Sequence, residues 1–369
     1  MTKNLRLRDF DFKLVFMLIA LSAFGCLVIG SAEASVQSKQ IMGLAAGVVI
    51  MLVLAFMDYS MLLRLYWLMY AGNLFLLALV AFSSLADDAG GAQRWLAIGN
   101  FRFQPSETAK IILILFFAQF IMKYKEKLNT FRVVLACVIL VAIPWVLIYE
   151  QPDLSTSVVV LVIFCIVMYV GGISYKLIFG TLAVAVPAVA IVVALALQPD
   201  TEILNQYQKN RILAFVNPEE YATTEAYQQL NSVMAIGSGQ LDGKGYKNNE
   251  VTSVKNGNFI SEPQTDFIFA VIGEEFGFKG CVLVIVLLMG ISLECLSVAR
   301  KAKDTAGTII AAGMGGLVAF QSFFNIGVTT FLLPNTGLPL PFVSYGLTSL
   351  MSLYIGMGFV LNVRLQAKK

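Results

Sequence analysis

About ten stretches of roughly 20 predominantly apolar residues follow one another along this chain, and each is long enough to cross a bilayer. They lie at 12–30, 40–57, 62–85, 106–122, 132–149, 154–172, 175–197, 267–297, 306–333 and 343–363. Inside hydrocarbon every backbone N–H and C=O must be paired within the protein, so runs of this length fold as helices. The predicted fold class is therefore an all-α polytopic membrane protein with about ten transmembrane helices. Composition agrees: 58% of the 369 residues are hydrophobic and 13% are charged, against about 25% charged in soluble domains. The eighth run is longer than a span needs, which places its first turns in a loop or cavity. One long polar stretch, 198–265, interrupts the series. The whole chain, 1–369, reads as a single membrane-embedded domain carrying that stretch as its large loop.

Basic residues orient the set. Lys3, Arg6, Arg8 and Lys13 precede the first run, Lys123, Lys125, Lys127 and Arg132 follow the fourth, Arg300, Lys301 and Lys303 follow the eighth, and Arg364, Lys368 and Lys369 close the chain. An even number of spans puts all of them on one side, and the positive-inside rule makes that side the cytoplasm. Both termini are then cytoplasmic, and 198–265 is extracytoplasmic.

The chain has no histidine. This excludes Ser-His-Asp and Cys-His catalysis and histidine metal sites, leaving Asp, Glu, Lys, Tyr or water for proton transfer. The net charge of +3 calls for no nucleic-acid partner. Cys26, Cys137, Cys165, Cys281 and Cys295 all lie in apolar runs and read as small hydrophobes. The stretch Gly237 to Gly245 is Gly-rich but lacks the spacing of a nucleotide-binding loop.

Polar clusters gather on the predicted outer side. Arg94, Arg102 and Gln104-Pro105-Ser106-Glu107, with Lys110, precede or open the fourth span. Glu107 and Lys110 are three apart and share a helix face. Glu150-Gln151-Pro152-Asp153 joins the fifth and sixth spans, where a polar turn is the structural alternative. Lys209-Asn210-Arg211 lies in the long loop, with a solvated charge run as its alternative. Pro334 to Gly346 contains three prolines beside a span, as a re-entrant or broken segment does. Asp266 closes the long loop where water meets hydrocarbon, and Glu274 and Glu275 follow inside the apolar run. Helix capping is the simpler account of Asp266. Carboxylates and arginines together at the outer leaflet suit an anionic lipid with a polar head. Arg94, Arg102, Lys110 and Arg211 could hold a diphosphate, with Asp266 as a base.

These stretches resemble the shape, elongation, division and sporulation (SEDS) family, which includes RodA, FtsW and SpoVE. The resemblance rests on Arg94-Trp95, Gln104 to Glu107 with Lys110, Gln151-Pro152-Asp153-Leu154, Arg211, Gly237-Ser238-Gly239 with Gly243-Lys244-Gly245, Thr265 to Phe269 with Gly273-Glu274-Glu275, and Thr336 to Gly346. It covers nearly the whole chain. Ser155 departs from the family's usual glycine, as does Leu347. The resemblance implies a peptidoglycan glycosyltransferase that polymerises lipid II into β-1,4 glycan with inversion, Asp266 being the general base. It implies substrate contacts from Arg94, Arg102, Glu107, Lys110, Arg211, Gln151, Asp153, Lys244 and Ser344, and a class B penicillin-binding protein as partner. A divalent cation, Mg or Mn, stays open, and so does the role of Glu107 as metal ligand, hydrogen-bond partner or ion pair to Lys110. A lipid II flippase and a non-catalytic scaffold for cell-wall synthases are the rival readings. The first expects functional charges near mid-membrane and on both faces, and the second needs no Asp266.

Overall fold

The computed structural model describes residues 9–82, 86–89, 92–98, 101–151, 153–180, 206–247 and 259–367, with isolated residues at 183, 187, 191, 194, 253 and 257. Among the described residues, nine helices are long and apolar enough to cross a membrane: α1 (Phe12–Ala32), α2 (Ala34–Phe56), α3 (Tyr59–Phe82), α4 (Pro105–Lys123), α5 (Phe131–Glu150), α6 (Leu154–Gly171), α9 (Ile268–Lys301), α10 (Thr305–Thr329) and α11 (Leu347–Leu365). Each overlaps one of the runs expected from sequence. The remaining run, 175–197, is helical over 175–180 and otherwise lies largely outside the described residues. Two shorter helices, α7 (Gln206–Val216) and α8 (Tyr227–Ser238), fall in the long polar stretch.

One feature departs from a purely helical protein. A three-stranded antiparallel sheet, β1 (Ala86–Ala89), β2 (Ala92–Ile98) and β3 (Phe101–Phe103), links α3 to α4. Leu96 of β2 pairs with both Ala86 and Phe103. The sheet delivers the chain to Pro105, the first residue of α4, where a missing N–H costs nothing.

The helices sort by burial. α4, α10 and α11 are the most enclosed, whereas α5 leaves Leu135, Val138, Ile139, Ile143 and Val146 exposed on a face suited to lipid. Close approach without bulk holds the interior together, as small residues do in membrane bundles. A Cβ on Gly315 of α10 would lie 2.9 Å from Cβ of Cys295 on α9, and one on Gly358 of α11 would lie 2.9 Å from the carbonyl of Met51 on α2. Four aspartates cap spans, each accepting a first-turn N–H: Asp11 from Leu14 at 3.0 Å, Asp58 from Ser60 at 2.9 Å, Asp153 from Thr156 at 3.1 Å and Asp304 from Gly307 at 2.8 Å.

α9 is broken. Gly277 has φ 61° and ψ −159°, a conformation that only glycine adopts readily, and it splits the 34-residue run after its first turns. The Gly237–Gly245 stretch docks on this break by backbone hydrogen bonds. Lys244 N donates to Glu274 O at 2.9 Å, Gly245 N to Glu275 O at 3.1 Å, and Phe278 N to Gln240 O at 2.8 Å. The glycine-rich segment therefore pairs the main chain that the break leaves unsatisfied.

Candidate active site

Asp266 stands two residues before α9 but does not cap it. The N-cap position belongs to Phe267, and no side chain accepts from the first turn. With Asp11, Asp58, Asp153 and Asp304 used as caps, Asp266 is left with a carboxylate that helix formation does not consume. Its backbone carbonyl accepts from Nδ2 of Asn325 at 2.7 Å. Its side chain faces Gly337, where a Cβ would lie 3.1 Å from Oδ2, and Gly337 has φ +73°. A side chain at that position would be strained and would crowd the carboxylate. Burial pushes the Asp266 carboxyl up to about 6, against the nearby guanidinium of Arg211, with Glu262 raising it, Arg94 lowering it and Asp153 raising it. Charges from the sheet, from the start of α6, from α7 and from the end of the polar loop thus converge on this carboxylate.

The wall beside Asp266 is the segment between α10 and α11. It contains no regular element from 332 to 340, yet Leu338, Leu340, Phe342 and Val343 are buried. Irregular backbone at this depth needs partners, and it has them. Arg211 donates to Asn335 O at 3.1 Å, Ser155 to Thr336 O, Asn325 Nδ2 to Leu338 O at 2.7 Å and Gln321 Nε2 to Pro339 O at 2.9 Å. Ser344 Oγ accepts from Leu340 N at 2.7 Å and donates to Thr265 O at 2.6 Å, while Tyr345 N reaches Gln264 O at 2.9 Å. Gln40 of α2 holds the far end through Ser344 O at 3.1 Å. The expected broken segment is thus packed protein, and its last turn is tied to the residues just before Asp266.

The other expected residues separate into two groups. Arg94, Gln151, Asp153, Arg211 and Ser344 meet around this wall: Arg94 Nε donates to Gln151 O at 3.4 Å, and Ser106 Oγ to Asp153 Oδ2 at 3.4 Å. Gln151 Nε2 is held by Leu77 O at 3.0 Å. The run containing Arg211 is not a solvated charge run, because Lys209 is buried. Arg102 is exposed at the end of the sheet, and its carbonyl accepts from Thr348 at 3.3 Å. Glu107 and Lys110 form a buried ion pair at 2.7 Å, with Lys110 also donating to Gln321 Oε1 at 3.0 Å. Lys244 pairs with Glu274 at 3.0 Å beside the break in α9, at the far end of the turns that begin after Asp266.

Among the described residues, no three acidic or cysteine side chains converge to hold a metal ion. Glu107 is committed to Lys110. The positive charges acting on the Asp266 carboxylate are the guanidinium groups of Arg211 and Arg94.

Gln321 and Asn325 stand out in the structure and not in the sequence, while Ser155, noted there only as a departure from the family's glycine, donates to the wall at Thr336. The signal for the first two was a polar stripe, Gln321, Asn325 and Thr329, at four-residue spacing within an otherwise apolar run.

Fold and site together define a polytopic membrane protein with a polar, arginine-lined carboxylate site at one end of its bundle. Residues 10–369 match the FtsW, RodA and SpoVE family, described as "Cell cycle protein". The peptidoglycan glycosyltransferase MrdB of Escherichia coli K12 is 34% identical over 97% of this chain and 94% of its own. A probable peptidoglycan glycosyltransferase FtsW of Geobacter metallireducens is 31% identical over 97% of this chain and 96% of its own. Among solved structures, a chain of a peptidoglycan synthase complex that coordinates polymerization and crosslinking superposes with TM-score 0.78 at 28% identity, covering 96% of this chain and 97% of that one. The rod shape determining protein RodA of Thermus thermophilus superposes with TM-score 0.71 at 27% identity over 98% of both chains. The chain belongs to the FtsW, RodA and SpoVE family.

Proposed function

We propose that this multi-pass membrane peptidoglycan glycosyltransferase polymerises lipid II, with Asp266 as the general base. The acceptor is the 4-hydroxyl of N-acetylglucosamine on one lipid II. The donor is a glycan held through an α-linked undecaprenyl diphosphate. The acceptor oxygen attacks the anomeric carbon from the face opposite the diphosphate, the bond from that carbon to the diphosphate oxygen breaks, and a β-1,4 bond forms. One displacement inverts the centre, so α donor gives β product. The hydroxyl proton passes to a carboxylate oxygen of Asp266. A sugar hydroxyl is far less acidic than any carboxylic acid, so this transfer accompanies attack.

The observation that carries this reading is Asp266 itself, an uncapped carboxylate raised to about 6 by burial and faced by Arg211 and Arg94. A base with its pKa near the working pH combines ionisation with proton affinity. Arg94, Arg102 and Arg211 carry the charge suited to the departing diphosphate. Glu107 and Lys110 form a buried ion pair, and Lys110, through Gln321, supports the wall at Pro339. Gln151, Asp153, Lys244 and Ser344 act through the backbone and the charges that they hold in place. The chain acts as one membrane-embedded unit with the site on the extracytoplasmic side. It works beside a class B penicillin-binding protein, as the likeness to a chain of a synthase complex suggests.

The test is lipid II polymerisation by the purified complex carrying Asp266→Asn, which keeps shape and removes basicity. Glycan formation is expected to fall by about 10²–10⁴-fold, the usual worth of a general base. Polymer at near wild-type rate from folded Asp266→Asn protein would overturn the assignment.

A further inference from the structure

Asp266 lies on a short connection, and nothing in its own helix fixes it. Phe267 leaves α9 uncapped. The carboxylate is flanked by the irregular wall at Gly337. A base on a connection beside an irregular wall needs both held from outside, because catalytic groups must stay within a fraction of an ångström of productive geometry.

Ser344 ties Thr265 to Leu340, and a second side chain joins the two at Asp266 itself. Asn325 lies on α10, a well-packed helix, and is 1% exposed. Its Nδ2 donates at 2.7 Å to the carbonyl of Asp266 and at 2.7 Å to the carbonyl of Leu338, one residue past Gly337. Both amide protons are used, one on the residue that carries the base and one on the wall that faces it. One turn earlier on the same helix face, Gln321 holds Pro339 O at 2.9 Å. Asn325 Oδ1 is buried with no hydrogen-bond partner. A buried polar atom left unsatisfied carries a cost, so packing alone does not account for an amide here.

We propose that Asn325 is a positioning residue for Asp266: its amide clamps the base-bearing connection to the Gly337 wall and so fixes the distance and direction of the carboxylate. This rests on the reading of Asp266 as the general base. Asn325 touches neither substrate nor the reacting atoms. Neither partner carbonyl belongs to a regular element, so α10 transmits its rigidity to the site through this one amide and through Gln321.

The test compares Asn325→Leu, Asn325→Ser and Asp266→Asn in the full-length protein with its synthase partner, scoring lipid II polymerisation per folded complex across pH 5–8. Leu matches the volume and lacks donors. Ser is small, and its hydroxyl can fall back on its own helix, so it serves if Leu does not fold. The charges acting on Asp266 are Arg211, Glu262, Arg94 and Asp153, and both substitutions leave all four unchanged. Loss of the clamp is expected to lower kcat by about 10- to 100-fold, the scale of a misplaced catalytic group. KM for lipid II should stay within about twofold. The acid limb should move to lower pH, as a loosened carboxylate regains water. A residue needed only for folding would change the yield of complex and leave kcat and the limb of the folded fraction untouched. That outcome, with Asp266→Asn inactive, overturns the role of Asn325 and leaves the base assignment standing. An active Asp266→Asn protein removes the base, and this proposal falls with it.

Discussion

A general base must be ionised to accept a proton, so on the role proposed for Asp266 its burial-raised carboxyl is expected to set an acid limb on polymerisation near pH 6. Below that pH the rate is expected to fall about tenfold per unit, and above it to level off. The same carboxyl affects stability. A folded-state pKa above the ordinary value means that the folded protein holds the proton more tightly than the unfolded chain, so ionisation destabilises the fold at neutral pH. Asp266→Asn removes that charge. Its Tm is expected to exceed that of the wild type at pH 7.5, with the difference shrinking as pH falls through 6 towards 5. Thermal unfolding at the two pH values, run beside the activity profile, checks both signs, and a lower Tm for Asp266→Asn at pH 7.5 would contradict the burial account. At this scale Asp266 was legible because a polar loop runs into an apolar span there. The sequence could not tell a cap from a free carboxylate, since that depends on whether Asp266 or Phe267 takes the N-cap position. Asn325 was illegible for another reason: one amide in an apolar run has many structural uses, and only its two carbonyl partners distinguish them.

Among the elements, the spans were readable because bilayer thickness fixes their length. The long eighth run signalled extra turns, and the break at Gly277 separates them from the rest of α9. The short sheet was not readable, because strands of three to seven residues carry too little alternation to stand out beside helices. Nor did spacing reveal what the Glu107–Lys110 pair supports. Glu107 and Lys110 both lie on α4, yet Lys110 reaches across to Gln321 of α10, which in turn holds the wall. Removing one partner of a buried ion pair strands the other charge and costs about 3–5 kcal/mol, whereas removing both costs far less. Glu107→Gln and Lys110→Met are therefore each expected to lower Tm sharply, and the double variant to recover much of the loss. A double-mutant cycle on thermal stability measures the coupling. If the pair instead contacted the diphosphate, the double variant would recover stability while remaining as inactive as the worse single.

Across the whole molecule, the residues of the site come from distant parts of the chain and meet at one end of the bundle, with Arg94 on the sheet, Asp153 at the start of α6, Arg211 on α7, Asp266 before α9 and the wall after α10. The opposite end collects another set: Lys125 reaches Thr305 at 3.0 Å, Lys303 reaches Ser60 at 2.9 Å and Lys13 pairs with Glu294 at 2.8 Å. Those lysines belong to the basic loops that the positive-inside rule places in the cytoplasm. On that orientation the carboxylate site is expected to face the opposite, extracytoplasmic compartment. In a background with Cys26, Cys137, Cys165, Cys281 and Cys295 replaced, a cysteine beside Lys247 is expected to react with a membrane-impermeant thiol reagent in intact cells, and one beside Glu126 only after the membrane is opened. The wild-type cysteines are not suitable reporters, because all lie within spans and four of the five are buried. Labelling in the reverse order would put the site on the cytoplasmic face and contradict the proposed extension of lipid II outside the cell.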